Sequence, residues 1–231
     1  MYVLTHDLKG VEAMADDILI YGVGETTEEA LKDHNQKVVS KLNKSKVIFC
    51  KKKVKFFGHY LTNEGLKPDN SKVIAVKEMP SPSNKKDLLR LIGMINYLGR
   101  YIKNLSANLA FLRELIKENT ALSWGENEEA EFRRIKEMMS EVTTRKYFDI
   151  RKPITIEYDA SSLGLGATAF QDGRVVAYAS CELTKAEKNY AQIEKELLAI
   201  VFACNRFDQM IVGNSRTIIK IDHKPLLNMY I

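Results

Sequence analysis

Two strand-like runs of this sequence each end in an aspartate, and a predicted helix between them carries two glutamates. The runs are Ile156-Glu-Tyr-Asp159 and Ile219-Lys-Ile-Asp222, and the helix, predicted over residues 184–207, contains Glu194 and Glu196. If the two strands are neighbours in one sheet, both aspartates lie at strand ends, and a helix packed on that sheet can bring a third carboxylate beside them. Clustered carboxylates repel one another, but they become favourable when they share hard divalent cations such as Mg²⁺. Two such ions about 3.5–4 Å apart can hold the attacking and leaving oxygens of a phosphodiester, so the pattern predicts metal-dependent phosphodiester cleavage.

The same residues also have a purely structural interpretation. Asp159-Ala-Ser-Ser and Asp222-His-Lys-Pro are ordinary strand-end turns, because aspartate bonds its own backbone and tolerates tight turns. The helix is apolar almost all round in its second half, which predicts deep burial. Glu194 and Glu196 fall on opposite flanks of its predicted core stripe, so periodicity does not choose between them. That stripe is formed by Ile193, Leu197, Ile200, Val201 and Cys204.

Glycines divide the stretch between Asp159 and this helix. Gly164, Gly166 and the Asp172-Gly173 pair are interpreted as turns between short strands. We therefore expect these strands to form an antiparallel meander.

A second acidic pair lies near the amino end. Asp16 and Asp17 interrupt apolar, strand-like sequence between residues 11 and 22, which predicts a β-hairpin with both aspartates at its tip. The pair either only makes the turn or binds a metal ion, and residue types leave both interpretations open. A helix is predicted from residue 26 to residue 44.

A basic and aromatic segment follows that helix. Its lysines precede Phe56-Phe-Gly-His59, and the next turn is Asn63-Glu-Gly65; the lysines are Lys51, Lys52, Lys53 and Lys55. A hairpin of this composition can bind a phosphate backbone and stack on bases. Lysines beside a strand also commonly serve only to keep a solvated edge from pairing with another chain.

The middle of the chain is helical in pattern. Asn84 is a candidate cap for a helix whose apolar residues recur every three or four positions, and further helices are predicted around residues 105–116 and 127–142. Two antiparallel helices joined by a short loop would bury their apolar stripes against each other.

Composition excludes several classes of protein. The three cysteines are far apart and form no paired spacing with one another or with the four histidines, so a structural zinc site or a disulfide framework is not expected. The net charge of +5 is compatible with nucleic-acid binding. Because the sequence shows no apolar run of about 18 residues and no secretory signal, we expect an intracellular protein, cytoplasmic or nuclear, with no membrane partner.

Several motifs occur together in a characteristic order. From the amino end they are Met14-Ala-Asp-Asp17, Phe56-Phe-Gly-His59, Leu91-Ile-Gly-Met-Ile-Asn-Tyr97, Thr155-Ile-Glu-Tyr-Asp-Ala-Ser161, Glu194-Lys-Glu-Leu-Leu-Ala-Ile200 and Asp222-His-Lys-Pro-Leu226. With its motifs in this order, the chain resembles the polymerase polyprotein of gypsy-type LTR retrotransposons, from the late palm of reverse transcriptase into the RNase H domain.

The resemblance implies a role for each candidate residue. Asp16, with Asp17 beside it, would be a polymerase metal ligand. Asp159, Glu196 and Asp222 would be RNase H metal ligands, which selects Glu196 over Glu194. Both sites would use Mg²⁺, with Mn²⁺ as the alternative ion. The partners would be a primer–template and an RNA–DNA hybrid, and the nucleic-acid contacts would come from the basic hairpin, at Lys51, Lys52, Lys53, Lys55, Phe57, Gly58 and His59.

The resemblance also implies an α/β fold, in the α+β multidomain sense, in three parts. These are a partial palm over residues 1–67, thumb helices over residues 68–122, and an RNase H-like mixed sheet with its packed helix over residues 123–231. In this last part the first three strands would be antiparallel, and the Asp222 strand would lie parallel beside the Asp159 strand. Met14 stands where the family has a tyrosine, and elements that the family carries before and after these motifs are not found here. We therefore expect both active sites to be incomplete in this polypeptide.

Three hypotheses follow. The chain is a fragment of an RNA-directed DNA polymerase with ribonuclease H activity, a non-catalytic remnant that still binds nucleic acid, or a decayed reading frame without a function of its own. The sequence does not decide the oligomeric state.

Overall fold

A computed structural model describes residues 11–14, 17–22, 24–39, 52–117, 122–140, 142, 144–214 and 216–221. The chain divides into two compact units, residues 1–63 and 64–231. None of the described helices combines the length and the apolar character that crossing a bilayer requires.

The first unit contains two short hairpins and one helix. Strands β1 (Val11–Met14) and β2 (Asp17–Ile20) pair in antiparallel fashion and confirm the predicted acidic hairpin. Met14 pairs with Asp17, so Asp17 is the first residue of β2 rather than part of the turn. Helix α1 (Thr27–Val39) follows, and Thr26 accepts a hydrogen bond from the Glu29 amide, as a helix cap does. Strands β3 (Lys53–Phe56) and β4 (His59–Thr62) form the second hairpin.

The second unit begins with strand β5 (Gly65–Pro68) and continues into four helices. These are α2 (Asn70–Lys77), α3 (Lys85–Leu98), α4 (Leu105–Leu115) and α5 (Glu126–Met138). The Asn84 side chain accepts a hydrogen bond from the Asp87 amide at 2.9 Å, which confirms the predicted cap of α3. One apolar core joins the helices; its fully buried residues include Leu91, Ile95, Leu109, Leu112, Phe132 and Ile135.

A four-stranded sheet and two further helices complete this unit. The strands are β6 (Ile154–Ala160), β7 (Gly164–Gln171), β8 (Arg174–Glu182) and β9 (Thr217–Lys220). Their order in the sheet is β8-β7-β6-β9, with β6, β7 and β8 antiparallel and β9 parallel to β6. The predicted strand arrangement is therefore confirmed. Helix α6 (Gln192–Arg206) and the short helix α7 (Asp208–Ile211) lie between β8 and β9 in sequence.

The two faces of this sheet are covered by different helices. Ile154, Ile156 and Tyr158 alternate along β6 and join a core with Ala199 and Ala203 of α6. The opposite face of β7 and β8 carries α4, whose Ser106 amide donates to the Ser180 hydroxyl at 3.0 Å. The helical region and the sheet are thus packed together within one unit.

Candidate metal centre and nucleic-acid interface

Asp159 lies at the carboxyl end of β6, on the face of the sheet that α4 covers. It pairs with Gly166 of β7, which in turn pairs with Ser180 of β8, so these three residues form one row across the sheet. The Asp159 side chain is exposed, and its Oδ2 accepts a hydrogen bond from the Nδ2 of Asn104, just before α4. The carboxylate is therefore held at one oxygen by a neutral amide.

Glu196 lies in the second turn of α6 and also has an amide partner. Gln192, one turn earlier, donates from Nε2 to a Glu196 oxygen at 2.9 Å and to the carbonyl of Ala160 at 3.1 Å. Ala160 directly follows Asp159 in β6. The Gln192 amide therefore links the Glu196 carboxylate to the end of the strand that carries Asp159.

Glu194, the other glutamate of this helix, has a backbone partner instead. Its Oε2 accepts a hydrogen bond from the Ala191 amide at 2.7 Å, at the start of α6. A carboxylate at this position satisfies an otherwise unpaired amide and interacts favourably with the helix dipole. The structure thus gives Glu194 a capping role, whereas Glu196 shares its Gln192 partner with the end of β6.

The buried stripe of α6 differs from the predicted one. Ala199 and Ala203 are fully buried against the sheet, whereas Val201, placed in the predicted stripe, is 55% exposed. Because Val201 is exposed, the prediction of deep burial for the second half of α6 was also wrong. The buried contact is made by small alanines, which let the helix approach the strands closely but carry a weaker apolar signal than large residues. At about 100° per residue, Glu196 lies about 60° from Ala199 and Glu194 about 140° away, so a correctly centred stripe distinguishes the two.

One glycine of β7 was also misinterpreted. Gly164 begins the strand, directly after a turn, but Gly166 lies inside the strand rather than in a turn. A Cβ atom at Gly166 would lie 1.7 Å from Oδ1 of Asn104, so the missing side chain makes room for that amide. The Asp172–Gly173 turn between β7 and β8 is confirmed, with both residues in the left-handed region.

The two candidate ligands whose side chains are described, Asp159 and Glu196, have amide partners. Within the described ranges, neither Asp159 nor Glu196 forms an ion pair with a lysine, arginine or histidine. Carboxylates oriented by neutral amides are suited to a hard divalent cation. In the part of the chain that is described, no group of three His, Cys, Asp or Glu side chains could hold a metal ion. Asp222 and Asp16 lie outside the described residues, and only the backbone of Asp17 is described.

The two faces of the β3–β4 hairpin differ, because one carries lysines and the other carries a buried histidine. Cross-strand pairing puts Lys53 and Lys55 on one face with Tyr60, and the Lys53 ammonium lies 3.9 Å from the centre of the Tyr60 ring. Lys52 is exposed just before the strand, while Lys51 lies outside the described residues. His59 pairs with Phe56 on the other face and is only 3% exposed, so its side chain is not on the surface that carries the lysines.

The turn of this hairpin is formed by Phe57 and Gly58. Both residues have positive φ angles, 49° and 69°, as a two-residue turn of the type I′ class requires. A left-handed backbone is unfavourable for a large side chain by about 1–2 kcal/mol. The sequence nevertheless places an aromatic ring there, and Phe57 is 40% exposed at the tip.

Sequence reasoning missed two residues, Asn104 and Gln192. Asn104 contacts a residue 55 positions away, and no helical or strand periodicity reports such a contact. The available signal was Gly166, because a glycine inside a strand often marks the close approach of another group. Gln192 could have been found from its spacing of four residues before Glu196, which puts both on one face of a helix.

Comparisons with known proteins agree with this architecture. Residues 124–219 match the model of the RNase H-like domain found in reverse transcriptase. The chain is 31% identical over 231 residues to the retrovirus-related Pol polyprotein from transposon gypsy of Drosophila melanogaster, covering 91% of this chain and 22% of that protein. It is 33% identical over 187 residues to the Pol polyprotein from transposon 297 of the same species, covering 80% of this chain and 18% of the relative. The Tf2-3 transposon polyprotein of Schizosaccharomyces pombe is 31% identical over 195 residues, 80% of this chain and 15% of the relative.

Solved structures with the same fold come from a foamy virus. The foamy viral protease-reverse transcriptase in complex with RNA/DNA hybrid superposes with a TM-score of 0.76 at 21% identity, over 95% of this chain and 31% of that chain. The dRH form in complex with ds DNA gives a TM-score of 0.77 at 21% identity, over 96% of this chain and 41% of that chain.

Residues 124–219 therefore form an RNase H-like domain of the kind found in reverse transcriptases. The chain as a whole is a homologue of the Pol polyproteins of gypsy-type retrotransposons, and it spans about a fifth of the length of those relatives.

Proposed function

We propose that this chain supplies the ribonuclease H part of a retrotransposon Pol polyprotein and cleaves the RNA strand of an RNA–DNA hybrid. Asp159, Glu196 and Asp222 would be the ligands of divalent ions, Mg²⁺ or alternatively Mn²⁺. The observation that carries this proposal is the parallel pairing of β6 with β9, in which each partner is 63 positions further along the chain. Asp159 and Asp222 are separated by the same 63 positions. The register therefore supports a side-by-side arrangement of these two aspartates.

The chain's own residues would position the metal ions and the substrate, and none of them would form a covalent bond to the substrate. A pair of divalent ions, when bound, activates water and stabilises the leaving oxygen of the phosphodiester. Asp159 and Glu196 would hold this pair, and the amides of Asn104 and Gln192 would fix the direction of their oxygens. Recognition of the hybrid would depend on its A-form shape and 2′-hydroxyl groups. The foamy viral structure in complex with RNA/DNA hybrid supports this class of partner.

A matched pair of variants on one helix tests the proposal. Glu196→Gln and Glu194→Gln remove the same charge two residues apart, but only Glu196 is a proposed ligand. With a labelled RNA–DNA hybrid and Mg²⁺, we expect Glu196→Gln and Asp159→Asn to lose cleavage by at least about 100-fold, the upper range for a disturbed metal ligand shell. Glu194→Gln should cleave like the wild type. Equal cleavage by wild type and Asp159→Asn would refute the site.

A second candidate function is nucleic-acid binding without catalysis, and the β3–β4 hairpin favours it. Its basic face carries Lys53 and Lys55 with Tyr60, next to Lys52 and the exposed ring of Phe57. Lysines of this kind bind phosphates, and an exposed aromatic ring can stack on a base or sugar. In this proposal Lys51 also contributes to binding, and Gly58 contributes by allowing the turn. The buried His59 would stabilise the hairpin from its other face.

The salt dependence of hybrid binding distinguishes an interface at this hairpin from a general attraction between lysines and nucleic acid. Changing Lys52, Lys53 and Lys55 together to alanine should weaken hybrid binding and reduce the slope of log affinity against log salt by roughly 2–3. The control carries the same charge change at exposed lysines of α2 and α3, namely Lys72, Lys77 and Lys86. If both triple variants had the same affinity and slope, the hairpin would not be the interface.

We also propose that the first unit derives from the polymerase palm. The β1–β2 hairpin, with Met14 paired to Asp17, supports this origin. Asp16 and Asp17 would then be ligands of the polymerase metal ions, within a three-part organisation of residues 1–67, 68–122 and 123–231. Primer extension on an RNA template, lost in Asp16→Asn, tests this role; equal extension by the variant would contradict it.

A further inference from the structure

The start of α4 is fitted closely onto the row of residues that contains Asp159. In that row Asp159 pairs with Gly166, and Gly166 pairs with Ser180. The Ser180 hydroxyl donates to the Ser106 hydroxyl at 3.0 Å and accepts from the Ser106 amide at 3.0 Å. The first turn of α4 is therefore held at a fixed position over the candidate ligand.

Asn104, which makes this contact with Asp159, has two unfavourable features. Its backbone is left-handed, with φ 53° and ψ 31°, and it directly precedes the first residue of α4. Its Nδ2 donates to Oδ2 of Asp159, while its Oδ1 is buried without a hydrogen-bond partner. Buried polar atoms without partners are rare in proteins, so an arrangement that leaves one calls for an explanation.

We propose that Asn104 is a positioning residue for Asp159 in metal binding. Its amide occupies one carboxylate oxygen, fixes the orientation of the group, and leaves Oδ1 of Asp159 for the metal ion. Carboxylates that bind metal ions are commonly oriented by hydrogen bonds of this kind. The inference rests on the proposed nuclease site, and it extends that site to a residue before the 124–219 region that matches the RNase H-like domain.

Two variants remove this contact by independent routes. Asn104→Gly deletes the amide at a position where a left-handed backbone suits glycine. Gly166→Ala keeps Asn104 but adds a Cβ atom at the place its Oδ1 now occupies. Asn108→Ala is the matched control, because Asn108 belongs to the same helix and bonds to Lys103 and Arg134 instead.

The test titrates Mn²⁺ alone into the full chain and measures free Mn²⁺ by electron paramagnetic resonance, with a thermal unfolding curve for each variant. Asn104→Gly and Gly166→Ala should each raise the dissociation constant of the Mn²⁺ that Asp159→Asn abolishes, by roughly 10–100-fold. Asn108→Ala should stay within about twofold of the wild type. A purely structural role for Asn104 would lower the unfolding temperature and leave this constant unchanged.

The outcomes separate this inference from the proposed function. If Asp159→Asn binds Mn²⁺ like the wild type, the metal site itself is refuted. If Asp159→Asn loses Mn²⁺ while folded Asn104→Gly and Gly166→Ala bind it as tightly as the wild type, or more tightly, only the positioning role is overturned. Tighter binding would mean that the amide competes with the metal ion.

Discussion

At the scale of single residues, the two glutamates of α6 have different hydrogen-bond partners. Glu194 is bonded to the Ala191 amide at the helix start, and Glu196 is bonded to Gln192 beside the end of β6. Both are carboxylates within one helical turn, but Glu194 bonds to a backbone amide and Glu196 to a side-chain amide. Residue type and spacing alone did not distinguish the two.

The capping role of Glu194 can be measured directly. Glu194→Ala leaves the Ala191 amide without its partner, and we expect the free energy of unfolding to fall by about 0.3–1.5 kcal/mol in urea denaturation. Glu194→Gln retains an acceptor oxygen and should recover most of this loss. A loss in Glu194→Gln as large as in Glu194→Ala would argue against this capping hydrogen bond.

Asp172 provides a pH-dependent prediction. Hydrogen bonds from Lys146 and then Lys152, together with their charges, lower the pKa of Asp172 from its ordinary 3.8 to about 2. Because the pKa is lower in the folded chain than in the unfolded chain, this group stabilises the fold above pH 3.8, and the contribution is lost as the pH falls toward 2. Asp172→Asn tolerates the left-handed turn but has no charge, so its stability should depend less on pH between about 4 and 2. Urea denaturation across this pH range is the measurement, and identical pH dependence in both proteins would contradict it.

At the scale of elements, α6 shows which features of packing a sequence reveals and which it hides. The existence of the helix and its place between β8 and β9 were confirmed, but its buried face was centred wrongly, because Ala199 and Ala203 carry a weaker apolar signal than Val201. Close packing of a helix on a sheet depends on small side chains at the contact, which a scale of hydrophobicity undervalues.

Substitutions on the two faces of α6 should have unequal effects. Ala203→Leu adds three carbon atoms to a fully buried contact, and we expect it to lower the free energy of unfolding by about 1–3 kcal/mol. Val201→Ala changes an exposed position and should stay within about 0.5 kcal/mol of the wild type. Thermal or urea unfolding compares them, and similar losses at both positions would show that the buried face is assigned wrongly.

At the scale of the whole molecule, the order and type of most elements could be predicted, while the contacts between distant elements could not. Periodicity and turn residues predicted the hairpins and the helices, and the family resemblance implied the parallel pairing of the Asp159 strand with the Asp222 strand. The packing of α4 on β7 and β8 was not predicted, because helical periodicity identifies an apolar face without identifying what covers it. The Asn104–Asp159 hydrogen bond depends on that packing, so it was also not predicted.

The fold further predicts uneven protection of the backbone. β7 is paired on both sides and its sheet is covered by α6 on one face and α4 on the other, whereas β1 and β2 form a two-stranded hairpin of four-residue strands. Isolated hairpins of this size are marginally stable, so in native-state hydrogen exchange the β7 amides should exchange most slowly and those of β1 and β2 much faster. Equal protection of the two sheets would contradict this expectation.

The most direct test of the proposed nuclease site is a crystal structure of the chain grown with Mn²⁺ and examined for anomalous scattering. We predict two peaks about 3.5–4 Å apart, each bonded to oxygens from the set Asp159, Glu196 and Asp222. Manganese bound elsewhere, or these three carboxylates directed to separate surfaces, would contradict the assignment.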